Sequence, residues 1–216
     1  MIKIQTFILG ELQTNCYLVI DQNTKQCLII DPADDANFIS EQILRQNLKP
    51  VAILATHGHF DHILAADELQ MAFASPAEAS AKEGLPFYIN EKDLFLVKNL
   101  QKNASFWAKR EIIERPPSPS IFSSDNFKFS ILNFKLDLIP TPGHTPGSVC
   151  FYFPKEKILF SGDTLFADGV GRTDLSYSSP NDLQNSLKKL AQLPRETKIY
   201  PGHGKSADLS KNLISS

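Results

Sequence analysis

Cysteine is scarce in this chain: only Cys16, Cys27 and Cys150, with no C-x-x-C spacing. That excludes a disulfide framework and leaves nothing for a thiolate-rich structural zinc site. Each cysteine sits in an apolar, strand-like run and is expected to be a small buried hydrophobe. An excess of charge of one sign is lacking too. The 22 Lys+Arg against 24 Asp+Glu give a net charge of −2 and a pI of about 6.2. No overall basic field is available for nucleic acid or an anionic membrane. No apolar run approaches the roughly 18 residues that span a bilayer. The N-terminus carries only Lys3 before a short run interrupted at Gln5 and Glu11, a poor secretory signal. The cytoplasm is the expected location, and neither nucleic acid nor membrane is an expected partner.

What remains is the composition of a folded domain. With 216 residues, 42% apolar and 21% charged, the chain is long enough for one substantial core and is expected to form a single domain over 1–216. Residues 2–9, 13–20 and 26–30 read as strands separated by Gly10-Glu11 and Asp21-Gln22-Asn23. A helix is expected from near Asp35, burying Phe38, Ile39, Ile43 and Leu48 or near neighbours and stopping before Pro50. A buried strand over 51–55 follows, then a helix from about Ile63 to Phe73.

Residues 74–126 form a helical excursion in this reading, either packed on the main sheet or reaching back as a lid, with Asn90 able to cap a helix at Glu91 and Pro116–Ser120 an ordered loop. The strand pattern returns at 127–132, 135–140, 148–153 and 158–161. Ser179-Pro180 starts a helix whose Leu183, Leu187 and Leu190 share one face, and a last strand covers 197–200. Several strands followed by a helix, twice over, suit two sheets packed between outer helices.

The informative residues are the histidines. His57, His59, Asp61 and His62 crowd into six positions directly after the strand 51–55, and the other two histidines, His144 and His203, sit in Gly-flanked turns after strand-like runs. Imidazole and carboxylate together are a ligand set for zinc and its first-row neighbours. His57, His144, Asp163 and His203 each fall just past the end of a strand, where one rim of a sandwich can aim them at a common point. From an extended backbone His57 and His59 point the same way, while Asp61 and His62 lie further on, so one loop can serve two adjacent cations.

Thr56-His57-Gly58-His59-Phe60-Asp61-His62, with Gly143-His144-Thr145-Pro146-Gly147-Ser148, Ser161-Gly162-Asp163-Thr164-Leu165-Phe166 and Gly202-His203-Gly204, resembles the metallo-β-lactamase superfamily, nearest its glyoxalase II-like (hydroxyacylglutathione hydrolase-like) hydrolases. The resemblance runs from Asn15-Cys16-Tyr17-Leu18-Val19 to His203 and leaves out only about 74–126. It implies an α/β fold, the four-layer αβ/βα sandwich. It further implies that His57, His59 and His144 bind one metal, that Asp61, His62 and His203 bind a second, and that Asp163 bridges them. Asp31 matches a residue that props the histidine loop, although Pro32 is followed by Ala33 where the family usually has Gly.

The implied cofactor is two divalent metal ions, zinc first, with iron or manganese also compatible with these donors. The implied chemistry is hydrolysis of a small, anionic thioester or related acyl compound by a metal-bridging hydroxide, with Asp61 able to orient the hydroxide or take its proton. Arg172, soon after Asp163, could meet a substrate carboxylate or instead pair with Asp174 or Asp168. Antibiotic-hydrolysing relatives usually carry Cys at the Asp163 position or replace His62, which this chain does not. The competing expectation is a mononuclear iron persulfide dioxygenase of the same fold, holding iron through His57, His144 and Asp163, because Gly171-Arg172-Thr173-Asp174 resembles a segment of those enzymes.

Overall fold

A computed structural model of the chain describes residues 1–74, 84–109, 111–122 and 128–212. The first sheet runs β1 (Ile2–Leu9), β2 (Thr14–Asp21), β3 (Gln26–Ile30), β4 (Lys49–Leu54), β5 (Phe87–Ile89), β6 (Pro119–Ile121), in that spatial order. The second contains β7 (Lys128–Ile131), β8 (Phe134–Pro140), β9 (Val149–Phe153), β10 (Ile158–Gly162), β13 (Lys198–Pro201) and β14 (Ala207–Asp208), ordered β14-β13-β10-β9-β8-β7. A separate ribbon pairs β11 (Leu165–Phe166) with β12 (Gly169–Val170). The helices are α1 (Ala36–Arg45), α2 (Phe60–Ile63), α3 (Ala66–Ala72), α4 (Leu94–Lys98), α5 (Leu100–Ala108), α6 (Pro180–Leu190) and α7 (Leu209–Asn212).

Strand alternation sorts the apolar residues into three layers of core. Along β2, Cys16, Leu18 and Ile20 face the helices α1 and α3, while Tyr17 and Val19 face the other sheet. β3 and β4 divide the same way, which is why their sequences read as continuous apolar runs rather than as alternating ones. The central layer adds Phe134, Val149, Phe151 and Phe160 from the second sheet. Its outer face, through Cys150, Leu159 and Ile199, packs on Leu190 of α6 and Leu209 of α7. The result is helix, sheet, sheet, helix. Each fully buried Leu or Ile contributes roughly 1.5–3 kcal/mol. The three cysteines are buried and unpaired, and burial pushes the Cys150 thiol up to about 11.

Three expectations need correction. The helix expected from Ile63 to Phe73 is broken into α2 and α3, the first beginning earlier so that Asp61 and His62 lie on it. Phe38 is only half-buried, packing edge-on against Phe7 (5.3 Å between centroids), whereas Ile39, Ile43 and Leu48 are buried. The segment about 74–126 is not purely helical, since β5 and β6 extend the first sheet in parallel and the Pro/Ser stretch supplies the exposed edge strand β6, where Pro119 is tolerated. Between them, Asn90 caps a short 3-10 turn, Glu91–Asp93, that continues into α4. Val97, Leu100 and Ala104 anchor α4 and α5 on the first core. Among the described residues no helix is long and apolar enough to cross a membrane.

Candidate metal centre

The ends of β4, β8, β10 and β13 deliver the candidate ligands, and the end of β3 delivers the residue that braces them. Asp31, just past β3, adopts a left-handed backbone (φ 49°), which Asp tolerates. The positive φ falls on Asp31 rather than on Ala33, so a glycine after Pro32 is not required. The Asp31 carboxylate accepts from the Thr56 N–H (2.7 Å), the Thr56 hydroxyl (2.7 Å) and His62 Nδ1 (3.0 Å), and so holds both ends of the histidine loop. The two sheets are tied at this rim by Val149 N–H to the Thr56 carbonyl (2.9 Å) and Asn15 N–H to the Gly202 carbonyl (2.7 Å). Gly202 N–H to the Gly162 carbonyl (2.8 Å) sets Asp163 beside His203. A Cβ at Gly202 would stand 2.2 Å from Asp163 Oδ1 and 2.7 Å from His62 Cε1, so only glycine fits.

All seven sequence-predicted ligand candidates converge. His57, His59 and His144 form one cluster, Asp61, His62 and His203 a second, and His57, His62 and Asp163 overlap both, with donor atoms within 4.8 Å of one another in each. Asp163 spans the clusters: Oδ2 lies 3.5 Å from His144 Nε2 and 3.6 Å from His203 Nε2, and Oδ1 lies 3.5 Å from His62 Nε2.

Hydrogen-bond partners fix the tautomers. His144 Nδ1 faces the Arg172 carbonyl (2.9 Å), His203 Nδ1 the Leu12 carbonyl (3.1 Å) and His62 Nδ1 the Asp31 carboxylate (3.0 Å). These partners only accept, so each Nδ1 carries a proton. His57 Nδ1 meets Thr56 Oγ1 (3.1 Å), whose own proton is committed to Asp31, so it too must donate. In all four rings Nε2 therefore turns to the centre. His62 Nε2 and Asp163 Oδ1 are buried without hydrogen-bond partners. Converging imidazole lone pairs, shared carboxylates and orphaned buried polar atoms fit divalent cations, and little else satisfies them.

The electrostatics agree. Burial, reinforced by the neighbouring imidazoles, holds His57 well below the usual histidine range and His59 down at about 3, so both are neutral. Burial also opposes charge on His62, but Asp61, Asp163 and Asp31 outweigh it and push His62 up to about 10. Burial opposes ionisation of Asp61 as well, yet His62 and His203 hold it well below the carboxylate range. A proton on His62 thus occupies a place where the carboxylates favour positive charge. Because its folded pKa lies above neutrality, cation uptake at pH 7 must expel that proton, and affinity should climb as pH rises towards 10. Calorimetric titration with zinc in buffers of differing ionisation enthalpy should record release of about one proton or more at pH 7. No release would mean that His62 is neutral beforehand.

Two contributors carry no signal in the sequence. Asp93, fully buried in the excursion, accepts from Gly58 N–H (2.9 Å), Gly147 N–H (2.7 Å) and the Thr145 hydroxyl (2.7 Å). It thereby clamps the loop between His57 and His59 to the turn after His144. Burial raises its pKa, partly offset by those bonds. Thr14 donates its hydroxyl to Asp61 Oδ2 (2.9 Å).

The centre floors a cleft of about 670 Å³ whose far wall is α4 and α5, through Phe95, Asn99, Lys102, Asn103 and Trp107. The excursion is thus both a packed element and a wall over the site. Arg172 lines the cleft, but its guanidinium is engaged in a two-pronged pair with Asp174 (2.6 and 2.7 Å) and lies 5.9 Å from the Trp107 ring centre.

Comparison with known proteins places this geometry in a family. The metallo-beta-lactamase superfamily pattern matches residues 9–203. The probable metallo-hydrolase YqgX of Bacillus subtilis is 34% identical over 201 residues, covering 93% of this chain and 89% of YqgX. Hydroxyacylglutathione hydrolase GloC of Haemophilus influenzae is 33% identical over 193 residues, covering 89% of this chain and 86% of GloC. Two solved structures are similar throughout: the BLEG-1 B3 metallo-beta-lactamase (TM-score 0.85, 33% identity, 97% of this chain and 95% of that one) and TTHA1623 in a di-iron-bound form (TM-score 0.80, 33% identity, 98% of each). Fold, rim geometry and matched span agree, and the chain belongs to the metallo-beta-lactamase superfamily.

Proposed function

We propose that this chain is a metal-dependent hydrolase of a small thioester or related acyl compound, working with two divalent cations, zinc foremost. One observation carries the reading: four histidine tautomers fixed by acceptor-only or committed partners, with Asp163 spanning two adjacent donor clusters at the floor of an open cleft. In this reading His57, His59 and His144 hold one cation, Asp61, His62 and His203 the other, and Asp163 both. YqgX and GloC support hydrolysis by what they are named, and TTHA1623 supports a dinuclear centre by what it holds.

When bound, such cations acidify water and polarise a carbonyl oxygen. The chain supplies the rest. Asp61 stays ionised, fixed through Oδ2 by Thr14, and orients the attacking water as an acceptor. Phe95, Trp107 and Tyr177 give the cleft apolar walls, and Lys102, beside an Arg172 already paired with Asp174, gives it positive charge at the rim, the surroundings expected for a substrate with an acyl group and an anionic carrier.

The test is one preparation offered S-lactoylglutathione, glutathione persulfide and a β-lactam in parallel, with elemental analysis alongside. The expected outcome is nearly two metals per chain and thiol release that needs no oxygen and stops on chelation. A single iron with oxygen uptake from the persulfide would hand the assignment to the dioxygenase reading, and turnover of the β-lactam alone would give it to antibiotic hydrolysis.

A further inference from the structure

His59 is the exception among the five histidines. It turns Nδ1 to the centre, 3.0 Å from both His57 Nε2 and His144 Nε2, and its outward Nε2 meets the Tyr177 hydroxyl at 2.8 Å. A phenol hydroxyl can donate or accept, unlike the carbonyls and the carboxylate behind His144, His203 and His62. Nothing outside the centre therefore dictates the His59 tautomer.

Tyr177 is placed for this contact by the His144 turn itself. Ser178 donates its hydroxyl to the His144 carbonyl (2.7 Å) and Ser179 N–H donates to the Gly143 carbonyl (2.8 Å). Phe95 of α4 packs on the Tyr177 ring at 5.3 Å between centroids. The phenol is thus held between the metal loops and the cleft wall.

We infer that Tyr177 is a positioning residue whose hydrogen bond to His59 reverses direction when a cation binds. Without a cation, the lone pairs of His57 and His144 both face His59 Nδ1, and a proton there satisfies them, so Tyr177 donates its O–H to Nε2. A cation needs the Nδ1 lone pair. The Nδ1 proton then passes to solvent while Nε2 takes one from solvent, leaving His59 neutral throughout, and Nε2–H donates to the Tyr177 oxygen. The phenol proton, released from His59, is left for water or substrate in the cleft. The inference rests on reading the histidine cluster as a cation site.

The experiment is long-range proton–nitrogen correlation NMR on the full chain carrying 15N-histidine, first metal-free and then titrated with zinc. His59 should carry its proton on Nδ1 before zinc and on Nε2 after, while His144 keeps Nδ1–H throughout. His59 in the Nε2–H form in both states would overturn the inference and leave the cation site standing. No histidine signal responding to zinc would overturn the cation site and the inference with it. Tyr177→Phe removes the acceptor, and by chelator competition it should bind zinc about 10–100-fold more weakly. Undiminished affinity in a folded Tyr177→Phe protein would also overturn it. Because the tautomer is read on the unaltered chain, the test survives if that variant fails to fold.

Discussion

Asp163→Ala is expected to cut turnover by about 10³-fold and to lower metal content at both positions, a larger loss than at any single histidine. The reason is geometric. Among the described residues Asp163 is the one side chain whose oxygens lie within 3.6 Å of imidazole nitrogens from both clusters, Oδ2 reaching His144 and His203 and Oδ1 facing His62. Removing it leaves those nitrogens without their shared carboxylate and takes away one of the negative charges that would balance the proposed pair of cations. Arg172→Ala makes the contrast, since its guanidinium pairs with Asp174 at the exposed rim, and such pairs are worth little. That variant should alter KM and leave metal content alone. Elemental analysis with steady-state kinetics separates the two, and full metal content with unchanged turnover in Asp163→Ala would show that the residue bridges nothing.

Asp93→Ala should be the most damaging change away from the proposed ligands, with a stability loss of about 3 kcal/mol or more. Three donors, Gly58 N–H, Gly147 N–H and the Thr145 hydroxyl, lose their acceptor, and each unsatisfied buried group costs roughly 1–3 kcal/mol. Asp93→Asn is no remedy, because its amide would turn an N–H₂ towards backbone N–H groups that also donate. Denaturant unfolding of metal-free protein measures the cost. Zinc competition should show weaker binding as well, since the two loops the clamp joins carry His57, His59 and His144. An unfolding midpoint within error of the parent chain would show that water replaces the carboxylate at no cost.

Much of this was legible in the residues. Strands β2, β3 and β4 have residues buried on both faces and so appear as near-continuous apolar runs, and the histidine loop 57–62 follows the last of them directly. Ser179-Pro180 announced α6, where the Ser179 hydroxyl accepts from Asp182 N–H. Asp93 and Tyr177 were not legible, because each acts through partners about 35 to 118 positions distant and neither belongs to a periodic pattern. The strands β5 and β6, three residues each, are too short for alternation to register, and the parallel pairing that makes them strands depends on β4. For Arg172 the sequence left substrate, Asp174 and Asp168 open as partners; the pair with Asp174 is a matter of side-chain geometry that no spacing reveals.

The far wall of the cleft begins and ends on neighbouring strands of a single sheet. β5 and β6 pair in parallel, and α4 and α5 form the crossover between them. Such a crossover can be exchanged as a cassette, because its two ends are fixed by backbone pairing, provided the apolar residues that seat it on the first core are kept. Grafting a different helical pair onto these anchors would reshape what the cleft admits while the chemistry beneath stays as it is. One polar residue of the cassette has to be kept as well. Asp93 stands at its entrance and grips both histidine loops, so any graft has to begin after it.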